Sequence, residues 1–297
     1  MFDARDPRSS LAIASRTPGG VAAAADYVEF HKLPPADDGS WYARGQNFIV
    51  SYSEASLGQT LARTGQVDEY VVLLPDADSR VEVSAGSEEA ISVDGQSLVV
   101  VPPGDSALRV IRPGRLVRVF SARATDLLRV CSNAAAYDQP HPHVAPLEPW
   151  PDPPAGFRIR PYSLNVPPQE GRFGRIWRCT TIMVNWGEPR PGPRDVTKMS
   201  PHSHPDFEQC SLVLEGEFVH HLRWPWTTDL NEWREDDHVT VGSPSITVIP
   251  PTSIHTSQAI GPGDNLLIDI FAPPRVDFSQ KAGFVLNAAD YPMPQAQ

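Results

Sequence analysis

The chain has 297 residues, of which 40% are hydrophobic, which is enough to bury two cores of ordinary domain size. Its 36 acidic and 25 basic residues give a formal charge of −11, which argues against nucleic acid or an anionic membrane as the main partner. The 32 prolines disfavour an all-helical fold and favour short strands joined by turns.

No apolar run has the length of a membrane span, and we expect neither a signal peptide nor a transmembrane segment. Cys131, Cys179 and Cys210 are odd in number and form no C-x-x-C pair. We therefore predict free, buried or half-buried thiols and a cytoplasmic location.

The elements predicted before residue 139 are a helix, a series of strands and a second helix. Residues 22–29 and 122–136 favour the two helices. Between them, β-rich runs are separated by Gly, Pro, Asp and Ser turns, as in an all-β sandwich or barrel. The predicted strands are 47–52, 69–74, 80–83, 90–93, 97–101, 107–111 and 116–121.

Residues 139–155 contain seven prolines, and we interpret them as a stiff linker between two domains, 1–138 and 156–297. A second series of strands follows it and resembles the first in order and spacing, which indicates a duplicated unit of about 110 residues. The strands predicted there are 175–186, 208–214, 217–226, 239–241, 245–250, 255–260 and 265–271.

Histidines are concentrated in the second unit, with six of the nine between residues 202 and 255. In an extended chain residues i and i+2 face the same side, so His202 and His204 can present both imidazoles to one ion. Imidazole binds zinc, copper, iron and nickel, and a third histidine from a neighbouring strand would complete a facial set.

The pair His202 and His204, an acid or amide a few residues later and then a glycine turn at Gly216 resemble the first motif of the cupin superfamily, H-x-H-x(3,4)-E-x6-G. The segment 250–255, Pro-Pro-Thr-Ser-Ile-His, is similar to the second motif, P-x-G-x-x-H, with Thr252 in place of glycine. The resemblance covers roughly residues 175–273. It implies tandem jelly-roll barrels of the double-stranded β-helix type and one divalent transition metal (Fe, Zn, Ni or Mn) held by His202, His204 and His255.

The fourth ligand that this resemblance implies is either Gln209 or Glu208. Six residues separate Gln209 from Gly216, as the motif requires, whereas Glu208 supplies the usual carboxylate but lies one residue too far away. We favour Gln209. Three imidazoles and an amide are all neutral and leave the full charge on the ion, which makes it a stronger Lewis acid.

The N-terminal unit resembles a degenerate copy of the same barrel. Thr64 and Gln66 stand where the H-x-H pair is expected, and Ala107 replaces the histidine of the second motif. We therefore predict a bicupin whose N-terminal barrel is structural and serves as a packing partner or as the surface of a homodimer.

Arg223 is a candidate to pair with a substrate carboxylate, and His220 or His221 is a candidate general base, of which we select His221. Trp224 or Trp226 would line the pocket or simply pack in the core. The pair His141 and His143 also has the H-x-H form, but it lies in the linker with no strand to hold it, so we do not assign it a metal.

The resemblance implies a metal-dependent enzyme that acts on a small, oxygen-rich substrate at the C-terminal barrel. A dioxygenase is the leading possibility. The alternatives are an isomerase, tautomerase or lyase acting on sugar acids, which the neutral ligand set favours, and a bicupin that binds a small molecule without catalysis.

Overall fold

The computed structural model describes residues 22–167, 169–172 and 174–294. The strands before the linker are β1 (Asp26–Glu29), β2 (Ser40–Arg44), β3 (Phe48–Ala55), β4 (Thr60–Gln66), β5 (Tyr70–Leu74), β6 (Arg80–Ala85), β7 (Ile91–Asp94), β8 (Ser97–Val101), β9 (Gly104–Arg112) and β10 (Gly114–Ser121). Those after it are β11 (Arg160–Ser163), β12 (Arg175–Arg178), β13 (Met183–Trp186), β14 (Arg190–Pro191), β15 (Gln209–Glu215), β16 (Glu217–Arg223), β17 (Asp237–Gly242), β18 (Ser245–Ile249), β19 (Ile254–Ala259) and β20 (Asp264–Phe271).

These strands form two antiparallel barrels, each made of a large and a small sheet. The N-terminal barrel combines a six-stranded sheet in the order β11-β8-β5-β10-β3-β2 with a four-stranded sheet in the order β4-β9-β6-β7. The C-terminal barrel combines the path β1-β18-β15-β20-β13-β12, with β14 added on β20, and a small sheet in the order β17-β16-β19. The prediction of a tandem all-β architecture is confirmed.

The two barrels exchange strands. β1 comes from the start of the described chain but pairs with β18 of the C-terminal barrel, with Asp26 opposite Val248. β11 follows the linker but pairs with β8 of the N-terminal barrel, with Arg160 opposite Val100. The predicted division of the chain into domains 1–138 and 156–297 stays a prediction. Each barrel contains one strand from the other side of this division, β11 in the N-terminal barrel and β1 in the C-terminal barrel.

Helices are scarcer than predicted. The prediction of a helix over residues 22–29 is wrong, because Asp26–Glu29 is β1 and its backbone groups pair with the edge of β18. Within the predicted helix 122–136 the structure has only α1 (Thr125–Leu128) and the beginning of a 3-10 turn (Ala134–Tyr137). The other short helices are the 3-10 turns Phe30–Lys32 and Leu230–Glu232 and α2 (Val276–Ser279). Among the described residues, no helix is long and apolar enough to cross a membrane.

The linker contains no strand or helix, and it packs against both barrels. Trp150 is buried, and its backbone N–H donates to the carbonyl of Thr180. His141 lies against Glu208 of the C-terminal barrel, with 3.0 Å between its Nδ1 and a carboxylate oxygen, and its backbone N–H donates to Gln46 Oε1 of the N-terminal barrel. The linker is therefore part of the interface between the barrels.

The large sheets of the two barrels pack against each other, and residue alternation sends every second side chain into this shared core. In β5, Val71 and Leu73 belong to the core between the barrels, whereas Tyr70, Val72 and Leu74 fill the N-terminal barrel. Glu69 is a buried polar contact across the interface, because its carboxylate accepts hydrogen bonds from Thr180 N and Oγ1 and from Tyr291 Oη.

The interiors of the barrels differ. The N-terminal barrel contains one extended cluster of buried apolar side chains contributed by both of its sheets. In the C-terminal barrel the apolar side chains form smaller separate clusters, such as the one containing Val213, Phe218, Val241 and Ala259. A polar cavity lies beside them. The three cysteines are buried and free.

Candidate metal centre

The start of β15 presents neighbouring residues to opposite sides of its sheet. Cys210, Leu212 and Leu214 pack in the core between the barrels, so Gln209 and Ser211 face the interior of the C-terminal barrel. Glu208 lies two residues before Cys210, so its side chain points to the same side of the sheet as that of Cys210, away from the interior of the C-terminal barrel. Its buried carboxylate accepts a hydrogen bond from the backbone N–H of Gln46 at 2.6 Å and lies beside His141.

His202, His204 and His255 converge, with one nitrogen of each ring within 4.8 Å of the others. Two backbone hydrogen bonds hold the segments together, from His202 N to His255 O at 3.1 Å and from His255 N to His202 O at 2.8 Å. Among the described residues, this is the only group of three His, Cys, Asp or Glu side chains close enough to hold one ion.

The ring nitrogens of these histidines are arranged as a metal site requires. The Nδ1 atoms of His202 and His255 donate to the carbonyls of Ser200 and Ser253, which leaves the Nε2 lone pairs free. His255 Nε2 is buried and has no hydrogen-bond partner. Burial lowers the pKa of His204 to about 3 and that of His255 to about 4, so both rings are neutral and able to bind a metal.

Gln209 is the candidate fourth ligand that the structure brings to this cluster. Its Oε1 lies 2.9 Å from His204 Nε2, close to the spacing of about 3 Å expected for two adjacent ligand atoms at bond lengths near 2.1 Å. Its Nε2 donates to Ser211 Oγ and to Asp269 Oδ1 at 3.0 Å, which fixes the orientation of the amide. The structure does not bring Glu208 to the cluster, because strand alternation turns it toward the N-terminal barrel.

The turns of both predicted motifs adopt left-handed backbone conformations. Thr252, which replaces the motif glycine, has φ of 69°, an uncommon conformation for a β-branched residue. Gly104, at the corresponding place in the N-terminal barrel, has φ of 100°. Gly216 has φ of 80°, and a Cβ atom there would collide with Asn265.

The histidine cluster opens into a cavity of about 500 Å³ inside the C-terminal barrel. His202, Gln209 and His255 line it, as do apolar side chains and a group of polar residues. The polar group includes Asn185, Ser257, Asn265 and Asp269. A cavity of this size and mixed lining is typical of a site for a small organic ligand.

Asp269 is a functional candidate that we did not predict from the sequence. It is half-buried on the cavity wall, and its carboxylate accepts hydrogen bonds from Gln209 Nε2 and Ser211 Oγ. Burial raises its pKa to about 6, although these hydrogen bonds oppose the shift. The signal in the sequence was an acidic residue between the apolar neighbours Ile268 and Ile270, on the inward-facing side of β20.

The predicted catalytic residues His221 and Arg223 lie outside the barrel. Alternation along β16 buries Phe218, His220 and Leu222 and turns the residues between them outward. His221 contacts His238 and Gln258, and the exposed Arg223 forms an ion pair with Asp236.

His220, the candidate that we did not select, is fully buried. Its Nδ1 lies 2.9 Å from Ser257 Oγ, and its Nε2 has no partner. Neither tryptophan considered for the pocket lines the cavity, since Trp224 packs with Leu222 and Ile249, and the exposed Trp226 stacks on Trp233.

In the N-terminal barrel, the residues at the positions of the two histidine motifs are not histidines, and their environments are as follows. Thr64 is exposed, and the buried Gln66 accepts a hydrogen bond from Arg63 Nε and donates one to Asp68. Ala107 lies in β9 opposite Ala62. His143, from the pair that we set aside, has a positive φ of 65° in the linker.

Comparison with known proteins identifies the fold. No family model matches the chain, and no curated protein matches it. A single-residue variant of oxalate decarboxylase from Bacillus subtilis has a TM-score of 0.55 at 12% identity, covering 92% of this chain and 85% of that chain. Oxalate decarboxylase from Lactobacillus farciminis, in a formate complex, has a TM-score of 0.50 at 14% identity, covering 88% and 86%.

A further structure of the Bacillus subtilis enzyme, in work on its Mn(II) centres, has a TM-score of 0.54 at 13% identity, covering 93% of this chain and 85% of that chain. At these identities the likeness concerns the fold. The chain therefore has the double cupin-barrel fold of these proteins.

Proposed function

We propose that this chain, which has a bicupin fold, is a metal-dependent enzyme that transforms a small, oxygen-rich acid in the cavity of the C-terminal barrel. The observation that carries the proposal is the convergence of three imidazoles and one amide oxygen at the wall of a cavity. His202 is exposed, which leaves room for substrate oxygen atoms beside the ligands.

The residues present fit a divalent transition metal. His202, His204 and His255 would supply three nitrogens, and Gln209 would supply an oxygen. Iron, zinc, nickel and manganese are all compatible with this donor set. The Mn(II) centres named for the similarly folded Bacillus subtilis oxalate decarboxylase make manganese the first metal to test.

The bound metal would act as a Lewis acid that polarises a carboxylate, carbonyl or enol oxygen of the substrate. A set of four neutral ligands leaves its charge undiminished, which favours isomerase, tautomerase or lyase chemistry over oxygen chemistry. This preference rests on the placement of Glu208, the only carboxylate among the candidate ligands, away from the histidines.

Asp269 is the group best suited to move a proton in such a reaction. Its pKa of about 6 allows it to accept a proton at neutral pH and to return it to a neighbouring atom. Gln209 and Ser211 hold the carboxylate through hydrogen bonds, so its position at the cavity wall is fixed. The side chain is therefore oriented before the substrate arrives.

Metal content and proton exchange test the proposal together. Untagged protein purified without oxygen should contain about one equivalent of metal per chain. After chelation and reloading with Mn(II), it should exchange the hydrogen on C2 of a 2-hydroxy acid, or on C3 of a 2-oxo acid, with D₂O, measured by NMR, at the same rate under argon and air. Asp269→Asn should keep the metal and the hydrogen bond from Gln209 but lose the exchange.

Other outcomes would identify the alternatives. Consumption of dissolved oxygen on substrate addition, with iron bound, would indicate a dioxygenase and contradict the Lewis-acid assignment. A ligand-dependent increase in melting temperature without exchange or product would indicate a binding protein. A metal-free protein that fails to take up any of the four ions would refute the metal centre.

A further inference from the structure

A hydroxyl group on the cavity wall is held by a buried histidine that the proposed function does not use. Ser257 on β19 is the cross-strand partner of His220 on β16, so both side chains face the interior of the C-terminal barrel. His220 Nδ1 lies 2.9 Å from Ser257 Oγ. Ser257 lines the cavity, whereas the adjacent His220 is fully buried.

The register of the strands places Ser257 and Asp269 in the same layer of the barrel. Ser257 is two residues beyond His255 on β19. Asp269 pairs with Ser211, which is two residues beyond Gln209 on β15. Two residues of extended strand span about 7 Å. The hydroxyl and the carboxylate therefore lie on opposite sheets, in the layer next to the candidate metal ligands.

The following layer of the cavity wall is apolar. Ala259 lies two residues beyond Ser257 on β19, and Leu267 lies two residues from Asp269 on β20. Both line the cavity and pack in one cluster with Phe218, which confirms that the two sheets are in step. A hydrogen bond to a charged group is stronger beside such an apolar layer than in water, because the local dielectric constant is lower.

The environment of His220 determines the direction of its hydrogen bond to Ser257. Burial lowers the pKa of His220 to about 3, so the ring is neutral and carries one N–H. Its Nε2 is buried, and no described residue offers that atom a hydrogen-bond partner. A buried N–H without an acceptor is rarer in proteins than a buried acceptor without a donor. The hydrogen is therefore on Nδ1, and His220 donates to Ser257 Oγ.

This direction leaves the hydroxyl hydrogen of Ser257 available to a ligand. Within the described part of the chain, Ser257 Oγ has no hydrogen-bond partner other than His220. A hydroxyl that accepts one hydrogen bond can still donate its own hydrogen. The backbone of Ser257 is fixed as well, because Arg194 Nη1 donates to its carbonyl oxygen at 2.9 Å. The hydroxyl is a donor that is positioned before a ligand binds.

We propose that Ser257 donates a hydrogen bond to the substrate oxygen that gains negative charge when Asp269 accepts a proton, and that His220 is the positioning residue that holds this hydroxyl. The inference rests on the proposed metal-dependent function and adds a catalytic residue to the same cavity. The proton passes from a substrate carbon to the Asp269 carboxylate, and the electron pair of the broken C–H bond moves to the oxygen. The Ser257 hydrogen stays on its own oxygen, so the step needs no further reactant.

Hydrogen exchange into lactate and pyruvate by Mn(II)-loaded protein tests the role of Ser257. Ser257→Ala should lower kcat about 100-fold, the effect of removing one such donor, while KM stays within about 3-fold and Mn(II) content is unchanged. Ser257→Thr keeps the hydroxyl and should retain most of the activity. Thr240→Ala removes an exposed hydroxyl from the same sheet and serves as the matched control.

NMR of the metal-free protein tests the role of His220 without catalysis. Long-range ¹H–¹⁵N correlations distinguish the two neutral tautomers of a histidine ring and should show the hydrogen of His220 on Nδ1. His220→Asn keeps an N–H donor near that position and should remain active. His220→Leu should lose about as much activity as Ser257→Ala, and the double variant should lose no more, because the histidine acts through the serine.

Several results would overturn the inference: undiminished kcat or loss of metal in Ser257→Ala, a hydrogen on His220 Nε2, or additive losses in the double variant. Ser257→Ala and the NMR measurement decide the inference if His220→Leu does not fold. A parent protein that retains no Mn(II) or exchanges neither acid would instead refute the proposed function on which the inference rests.

Discussion

Gln209 and Glu208 are consecutive residues whose side chains lie on opposite sides of one sheet, so two alanine variants separate metal binding from stability. Gln209→Ala removes an oxygen 2.9 Å from His204 Nε2, together with the amide that orients Asp269. Loss of a partner outside the ligand shell already weakens metal affinity about 10- to 100-fold, and we expect the loss of a ligand to exceed 100-fold.

Glu208→Ala should have the opposite effect. It removes a buried carboxylate that accepts a hydrogen bond from Gln46 N at 2.6 Å and contacts His141 at 3.0 Å, and both of these half-buried partners then lose it. Breaking such a buried charge pair costs about 3 kcal/mol. For a chain of 297 residues that cost lowers the melting temperature by roughly 5 °C, while metal affinity changes little.

The assay is Mn(II) titration followed by calorimetric melting of each metal-free variant. Gln209→Ala should lose metal and lower the melting temperature of the metal-free protein by less than Glu208→Ala does. Metal loss in Glu208→Ala together with retention in Gln209→Ala would refute the assignment of the fourth ligand and the alternation argument behind it. Glu208→Gln, which keeps an acceptor for Gln46 N, should recover part of the lost stability.

Three further predictions follow from the contacts described. His255→Ala should reduce metal content below about one tenth of an equivalent by elemental analysis, because it removes a ligand nitrogen; unchanged content would refute the histidine site. Arg223→Gln should leave metal content and turnover within about 2-fold of the parent in the exchange assay, since its exposed ion pair lies outside the barrel, and a larger loss would contradict that placement. Burial raises the pKa of Glu69, so its contribution to stability is present below about pH 4.5 and lost as pH rises through the raised pKa. The free energy of unfolding of Glu69→Gln relative to the parent, measured in urea, should therefore increase from pH 4.5 to 7, and a constant difference would exclude ionisation of Glu69 as the cause.

The strands were predictable where short β-rich runs were bounded by turn residues. The run 97–101 coincides with β8, and 116–121 lies within β10. The helix expected at 22–29 did not form, because local alanine preference was outweighed by pairing with β18, a partner more than 200 residues away. The hydrophobic periodicity of residues 22–29 contains no information about pairing with a strand as distant as β18.

The candidate site was predictable to the extent that its residues are close together in sequence. His202, His204 and Gln209 belong to one motif, and His255 belongs to a second motif whose backbone pairs with that of His202. His221 lies outside the barrel because of the register of β16, where a shift of one residue exchanges inward and outward faces. Asp269 was not predicted, because its hydrogen bond to Gln209 joins two strands that are far apart in the sequence.

The pairing of β1 with the C-terminal barrel has a consequence for biosynthesis. Asp26–Glu29 is made early, but its partner Ser245–Ile249 is made more than 200 residues later. At about 5–20 residues per second, the ribosome takes roughly 10–40 s to reach that partner. During this interval the segment has no sheet to join. The N-terminal barrel in turn lacks its edge strand until Arg160–Ser163 is made. The N-terminal barrel should therefore acquire protease resistance only after Arg160–Ser163 is made and the C-terminal barrel later still, and two separately expressed halves should expose unpaired sheet edges that promote aggregation.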